Sequence, residues 1–198
     1  AKRITRADGG TLYLLADDRR ALHFEIVRTD SLNIAFGGSS AQSTSGLFPD
    51  LPLYRPDGSP NQGMIAAYAA LTGNTVNIAD AYAAQGFDFS GTRQFDARTG
   101  YRSRSFLTVP MKNHEGEVIG VLQLINAIAA PSGQVVPFSP ADQRLAESLA
   151  SQAAVALSNR QLVQQLETLF ESFIKLINLA IDEKSPYTGG HCQRVPEL

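Results

Sequence analysis

The chain has 198 residues, 43% apolar and 18% charged, with a formal charge of -2. That length holds one good core plus an extension, and the slightly acidic balance leaves no excess of Lys and Arg to neutralise a nucleic-acid backbone or an anionic membrane surface. No window approaches the run of about eighteen apolar residues that a membrane span needs, and a single cysteine, Cys192, precludes an internal disulfide and fits a reducing, cytoplasmic setting.

In chain order, Ala1-Lys2-Arg3-Ile4 reads as the last turns of a helix, broken by Asp8-Gly9-Gly10. A start without Met and an end in mid-pattern at Val195-Pro196-Glu197-Leu198 are expected of a piece cut from a longer protein. Residues 11–15 and 22–27 are strand formers on either side of the polar Asp17-Asp18-Arg19-Arg20, which predicts an antiparallel hairpin. From Phe36-Gly37-Gly38 to Gly63 the chain is rich in Ser, Pro and Gly, the composition of a long surface loop beside a site. Residues 64–71 favour a helix stopped by Thr72-Gly73-Asn74, residues 75–78 a short strand, and Asp80 can cap a short helix after it.

Residues 84–102 mix Gly, Asp, Phe and Arg without period and read as a loop with functional contacts. Residues 105–111 and 118–125 then flank Lys112-Asn113-His114-Glu115-Gly116, a hairpin whose Gly116 can take positive φ. After a Pro/Gly-rich stretch, Ser139-Pro140-Ala141-Asp142 supplies an N-cap and a first-turn proline for a helix expected to reach Asp182. Along it Leu149, Ala156, Val163, Phe170 and Ile177 lie seven apart. Leu145, Leu166, Phe173 and Ala180 fill most offset positions, with Gln152 and Asn159 interrupting. Before Asn159 this stripe can pack on its own domain; beyond it, a parallel dimer accounts better for the seam.

Three blocks carry a family resemblance: Val76-Asn77-Ile78-Ala79-Asp80-Ala81-Tyr82, Phe95 to Ser105 (Phe-Asp-Ala-Arg-Thr-Gly-Tyr-Arg-Ser-Arg-Ser), and Val118 to Asn126 (Val-Ile-Gly-Val-Leu-Gln-Leu-Ile-Asn). In this order they resemble the GAF domains of cyclic-nucleotide phosphodiesterases. The resemblance implies an α+β GAF fold: a central antiparallel sheet of five or six strands flanked by helices, with a long C-terminal coiled-coil helix. Its signature Asn-Lys-Phe-Asp-Glu maps to Asn126, Ala127, Phe138, Asp142 and Gln143, so two of five positions differ. The ion pair that the family's Lys makes with its Asp is missing here, although Asp142 can still cap the nearby helix.

By position, the resemblance lines a pocket with Thr11, Phe36, Gly37, Ile65, Ala66, Asp96, Thr99, Ser103 and Gln123. Phe36 and Ile65 can sandwich a purine, Gln123, Thr99 or Asp96 can read its edge, and N–H groups opening the 64–71 helix can face a cyclic phosphate. Equally, Phe36 and Ile65 can be ordinary core, and Asp96 and Thr99 parts of a capped loop. Arg93, Arg98, Arg102 and Arg104 form either an anion site or a solvated, ion-paired face. With no cysteine in the domain body, neither bilin attachment nor methionine-sulfoxide reduction is open to it, since each needs a thiolate.

A second resemblance lies in the run from Leu179 to Val195, which is similar to the opening of an HD-type, HD-GYP-like metal-dependent phosphohydrolase domain. It implies that His191 is the first metal-ligating histidine of a hydrolase whose other ligands to a divalent metal would follow Leu198. The expected organisation is a GAF domain over 1–158 with a truncated first helix, a signalling and dimerisation helix over 159–183, and the start of the hydrolase over 184–198. No nucleophile–base pair or metal cluster is legible within the chain, so it is expected to hold no cofactor and to be regulatory rather than catalytic. The full-length protein is expected to be the phosphohydrolase, controlled by a cyclic nucleotide or other purine-like ligand in bacterial-type signalling. The alternative is a GAF domain without ligand, serving as a dimerisation scaffold.

Overall fold

The computed structural model describes residues 1–38, 44 and 46–184. The strands are β1 (Ala7–Leu15), β2 (Ala21–Thr29), β3 (Ile34–Gly37), β4 (Leu51–Pro52), β5 (Val76–Ile78), β6 (Phe106–Lys112), β7 (Val118–Ile128) and β8 (Val135–Val136). The helices are α1 (Ile65–Thr72), α2 (Ser90–Thr99) and α3 (Pro140–Lys184). Six strands form one antiparallel path, β3-β2-β1-β7-β6-β5, while β4 adds to β2 and β8 to β7. This is the α+β fold that the resemblance implies.

The β6–β7 hairpin forms for the reasons expected of its turn. Gly116 takes φ +81°, and the Asn113 carboxamide oxygen accepts the N–H groups of Glu115 and Glu117 at 3.0 and 2.9 Å. Register then sorts side chains between faces. Thr11 stands opposite both Val27 and Gln123, and Gln123 opposite Thr108, so these share one face with Tyr13, two residues along β1. On that face Ala66, Ala67 and Ala69 of α1 pack with Tyr13, Leu22, Leu53 and Val121. The opposite face carries the fully buried Leu107, Met111 and Leu124; truncating one of these to Ala costs about 2–5 kcal/mol.

Residues 1–155 form one compact unit and the chain from Ala156 a second. Within the first, Ala146, Ala150 and Ala154 are fully buried at a spacing of four, a single stripe of small residues on α3. The start of α3 is a reciprocal cap. Ser139 Oγ donates to the Asp142 carboxylate at 2.6 Å and accepts the Asp142 N–H at 3.1 Å, and the Ser139 N–H also reaches that carboxylate.

Four sequence expectations need correction. Gly9 and Gly10 lie inside β1 rather than ending a helix before it. β1 is paired on both sides, and a Cβ on Gly9 would stand 3.4 Å from Ile125 Cβ, so small residues let the neighbouring strands close in. Residues 2–6 make turns, closed by a bond from Thr5 N–H to the Ala1 carbonyl, and not helix. The long loop from Phe36 to Gly63 contains the end of β3 and all of β4. Finally, residues 84–102 contain α2. Its only buried side chain is a carboxylate, so it lacks the apolar period by which helices are read.

Candidate functional site

The sheet face beneath α1 carries a set of buried polar groups, Thr11, Tyr13, Thr108 and Gln123. Gln123 Nε2 donates to Thr108 Oγ1 at 3.1 Å, and its Oε1 accepts the Tyr13 hydroxyl at 3.3 Å. Burial pushes the Tyr13 phenol well above its ordinary range, and a hydrogen bond with Thr11 opposes this in part. Two hydroxyls and a phenol around one carboxamide can serve as donors or acceptors on demand, which suits them to reading a polar ligand edge.

An aromatic column continues the same face. Tyr13 lies 4.8 Å from Phe24 between ring centres, Phe24 stacks on Phe48 at 5.1 Å, and Phe48 meets Phe36 edge-on at 5.5 Å. Phe36 enters it because it pairs with Val27, itself opposite Thr11. The next residue must be glycine: Gly37 has φ +73°, and a Cβ there would fall 1.8 Å from the Glu25 carbonyl oxygen. Arg28 holds this edge by donating to the carbonyls of Phe36 and Gly37.

A second polar cluster belongs to α2. The buried Asp96 carboxylate accepts the Tyr82 hydroxyl at 2.7 Å, the Ser103 N–H at 2.8 Å and the Ser103 hydroxyl at 2.8 Å. This bond to Asp96 raises the pKa of Tyr82. Arg102 stacks over the Tyr82 ring at 3.8 Å, with Arg93 at 5.5 Å. Arg104 pairs with Asp80 at 3.0 Å, and Asp80 is held below the usual carboxylate range chiefly by the Tyr82 N–H and then by Arg104. At the far end of α2, the Tyr101 hydroxyl donates to Asp8 at 2.7 Å, and burial followed by that bond raises the Tyr101 phenol well above its ordinary range.

The nine pocket positions expected from the sequence therefore divide. Thr11, Gln123, Phe36 and Ala66 belong to the sheet face under α1, with Gly37 at its edge. Ile65 packs in a neighbouring cluster with Val76, Ala81, Phe89 and Phe106. Asp96 and Ser103 are joined to each other, with the carboxylate already engaged. Thr99 is exposed, donates to the Phe95 carbonyl and accepts the Tyr101 N–H, closing the end of α2. Tyr13, Phe24, Phe48, Thr108 and Tyr82 complete these clusters and are absent from that set. Tyr13 and Thr108 had a legible signal, two residues from Thr11 on one strand and across the hairpin from Gln123; Phe48 had none.

The family signature positions are structural in their contacts. Asn126 adopts φ +58°; its Oδ1 accepts the Arg104 N–H at 2.8 Å and its Nδ2 donates to the Arg102 carbonyl at 2.8 Å, tying β7 to the segment after α2. Ala127 and Phe138 are buried, and Asp142 is held in the α3 cap. The Phe138 carbonyl and Gln143 both accept from Asn77 Nδ2 at 3.2 Å. His191 and Cys192 lie outside the described residues. Among the described residues, no three His, Cys, Asp or Glu side chains gather to hold a metal ion, and no helix is long and apolar enough to cross a membrane.

The antiparallel path with its paired central strands, α1 on one face and a long closing helix defines the class. The family model for the GAF domain matches residues 1–157, and the chain belongs to that family. A dual 3',5'-cyclic-AMP and -GMP phosphodiesterase 11A of Takifugu rubripes is 38% identical over 98 residues, 50% of this chain and 10% of that protein. A dual 3',5'-cyclic-AMP and -GMP phosphodiesterase 11 of Drosophila melanogaster is 34% identical over 116 residues, 59% of this chain and 7% of that protein. The chain thus spans a tenth or less of the length of these relatives. Among solved structures, the GAF domain of an Acinetobacter phosphoenolpyruvate-protein phosphotransferase superposes with a TM-score of 0.55 at 17% identity. That match covers 83% of this chain and 78% of the other, and it is a likeness of fold.

Proposed function

We propose that the chain is a small-molecule sensor whose ligand, a cyclic nucleotide or similar purine-like compound, binds the sheet face beneath α1. The observation that carries this reading is the buried set Thr11, Tyr13, Thr108 and Gln123 beside a column of aromatic rings. A purine needs a flat apolar partner and a few convergent donors and acceptors, and both are here. The likeness to phosphodiesterases named for cyclic AMP and cyclic GMP supports the ligand class. Met64 opens α1 without a side-chain cap, which leaves first-turn N–H groups suited to a cyclic phosphate.

In this reading α3 is the output. Two copies pair through its outer seam, and the ligand shifts the geometry of that pair by its difference in affinity for two helix arrangements. The controlled partner is a metal-dependent HD-type phosphohydrolase, His191 being its first ligand, in a cytoplasmic protein. A second reading, a ligand-free dimerisation scaffold, is favoured by specific observations: Ala127 and Gln143 stand at two signature positions, and the buried polar set is already bonded to itself.

Titration calorimetry of the 198-residue chain with cyclic AMP and cyclic GMP, with mass spectrometry of whatever is released on denaturation, separates the two. Saturable binding that Thr11→Ala and Phe36→Ala weaken at least tenfold while the fold is kept is the expected result. No heat and no released ligand would leave the scaffold.

A further inference from the structure

The arginines between Arg93 and Arg104 are held in different ways. Arg104 is ion-paired with Asp80 at 3.0 Å, and Arg98 lies exposed near the end of α2. Arg93 and Arg102 converge on one side chain. The guanidinium carbon of Arg102 stands 3.8 Å from the centre of the Tyr82 ring, and that of Arg93 stands 5.5 Å from it. Both arginines are exposed, and among the described residues neither makes an ion pair.

Carboxylates are not lacking nearby. Asp80, Asp88 and Asp96 all act electrostatically on these arginines or on Tyr82, yet each takes its hydrogen bonds elsewhere. Asp80 accepts from the Tyr82 N–H and from Arg104, Asp88 from the Ser90 N–H at 2.8 Å, and Asp96 from the Tyr82 hydroxyl and Ser103. The forked N–H donors of Arg93 and Arg102 therefore remain open, and the Tyr82 ring, pinned by its bond to Asp96, sets where the two forks stand. Such forks are preorganised for an anion, since less side-chain freedom is lost when it arrives. A planar carboxylate matches one fork, whereas the tetrahedral oxygens of a phosphate can accept from two at once.

From this geometry we infer that Arg93 and Arg102, stacked on Tyr82, form a surface site for a phosphate dianion, free or as a phosphomonoester. The site uses none of the residues beneath α1, so it stands apart from the sensor reading above. Arg93 belongs to α2, Tyr82 precedes that helix and Arg102 follows it, so a bound phosphate ties α2 to both of its flanks.

The test titrates the 198-residue chain by calorimetry with inorganic phosphate and with ribose 5-phosphate, which carries no base, at constant ionic strength. Saturable binding with a dissociation constant on the order of 1 mM or tighter is expected. At a phosphate concentration about ten times that constant, amide exchange in α2 should slow about tenfold. Arg93→Ala and Arg102→Ala should each weaken binding at least about tenfold. Arg102→Lys, which keeps the charge and loses the fork, should also weaken it, and Arg98→Ala should leave it unchanged. Saturation by ribose 5-phosphate as well as inorganic phosphate would assign the site to a phosphomonoester, and saturation by inorganic phosphate alone to the free anion. No saturation by either would overturn the site. So would an Arg98→Ala effect as large as that of Arg102→Ala, which would mean diffuse attraction to a basic surface.

Discussion

The two short helices are held in opposite ways. α1 buries Ile65, Ala66, Ala67 and Ala69, so its attachment is non-directional and spread over several side chains. α2 buries one side chain, the Asp96 carboxylate, and depends on Tyr82 and Ser103 to satisfy it. Gly86 and Gly100, at φ +91° and +70°, flank α2 where nothing would meet an added Cβ. The difference teaches that an element attached by area depends on no single hydrogen bond, whereas an element attached by a carboxylate is released by the loss of one group.

The sharpest way to break this comparison is to place a carboxylate in the apolar attachment. Ala67→Asp buries an unpaired charge against Leu22 and Val121, and a loss of at least about 3–5 kcal/mol is expected, read as failure to give a cooperative melt. A melt as in the wild type would refute the account of α1. Next in size is Asp96→Ala, which orphans the Tyr82 and Ser103 donors and costs about 2–3 kcal/mol. Its expected signature is local: faster amide exchange in α2 with β6 and β7 still protected. Uniform loss of protection would show that α2 does not open separately.

Smaller changes sharpen the same point. Tyr82→Phe removes one of three bonds to Asp96 and should cost about 1 kcal/mol, confined to α2 exchange. Arg102→Ala removes the cation stacked on that ring and should cost about 0.5–1 kcal/mol. The last prediction concerns alkali. Tyr13 and Tyr101 have folded-state pKa values raised above the unfolded value. Their neutral forms thus contribute stability that is complete below about pH 10 and is lost as pH rises toward the folded values. The denaturation midpoint should therefore hold up to about pH 10, the unfolded tyrosine value, and fall as pH rises above it, and Tyr101→Phe should reduce that fall. An equal fall in the variant would assign the effect elsewhere.

Much of the fold was legible because local chemistry and period agreed. The β6–β7 hairpin, α1 with its Gly73 stop and the Ser139–Asp142 cap each announce themselves through a turn residue, a stop or a cap within a few positions. α2 did not, since its inward side is a carboxylate whose partners lie 14 residues before and 7 after it. The candidate site was half legible. Thr11 and Gln123 could be named from a family pattern, but the aromatic column needs Phe48, delivered by a segment with no period of its own.

The sequence by itself determined the turn that closes the β6–β7 hairpin, the start of α3 and the seven-residue repeat along its outer part, because each depends on residues close together in the chain. Only the tertiary structure decided that Asp96 faces Tyr82 and Ser103, that Gln123 is shared between Tyr13 and Thr108, and that Gly9 and Gly10 lie within a strand. Those are pairings across strands and loops, where sheet register chooses a polar group's partner and spacing along the chain carries no record of the choice.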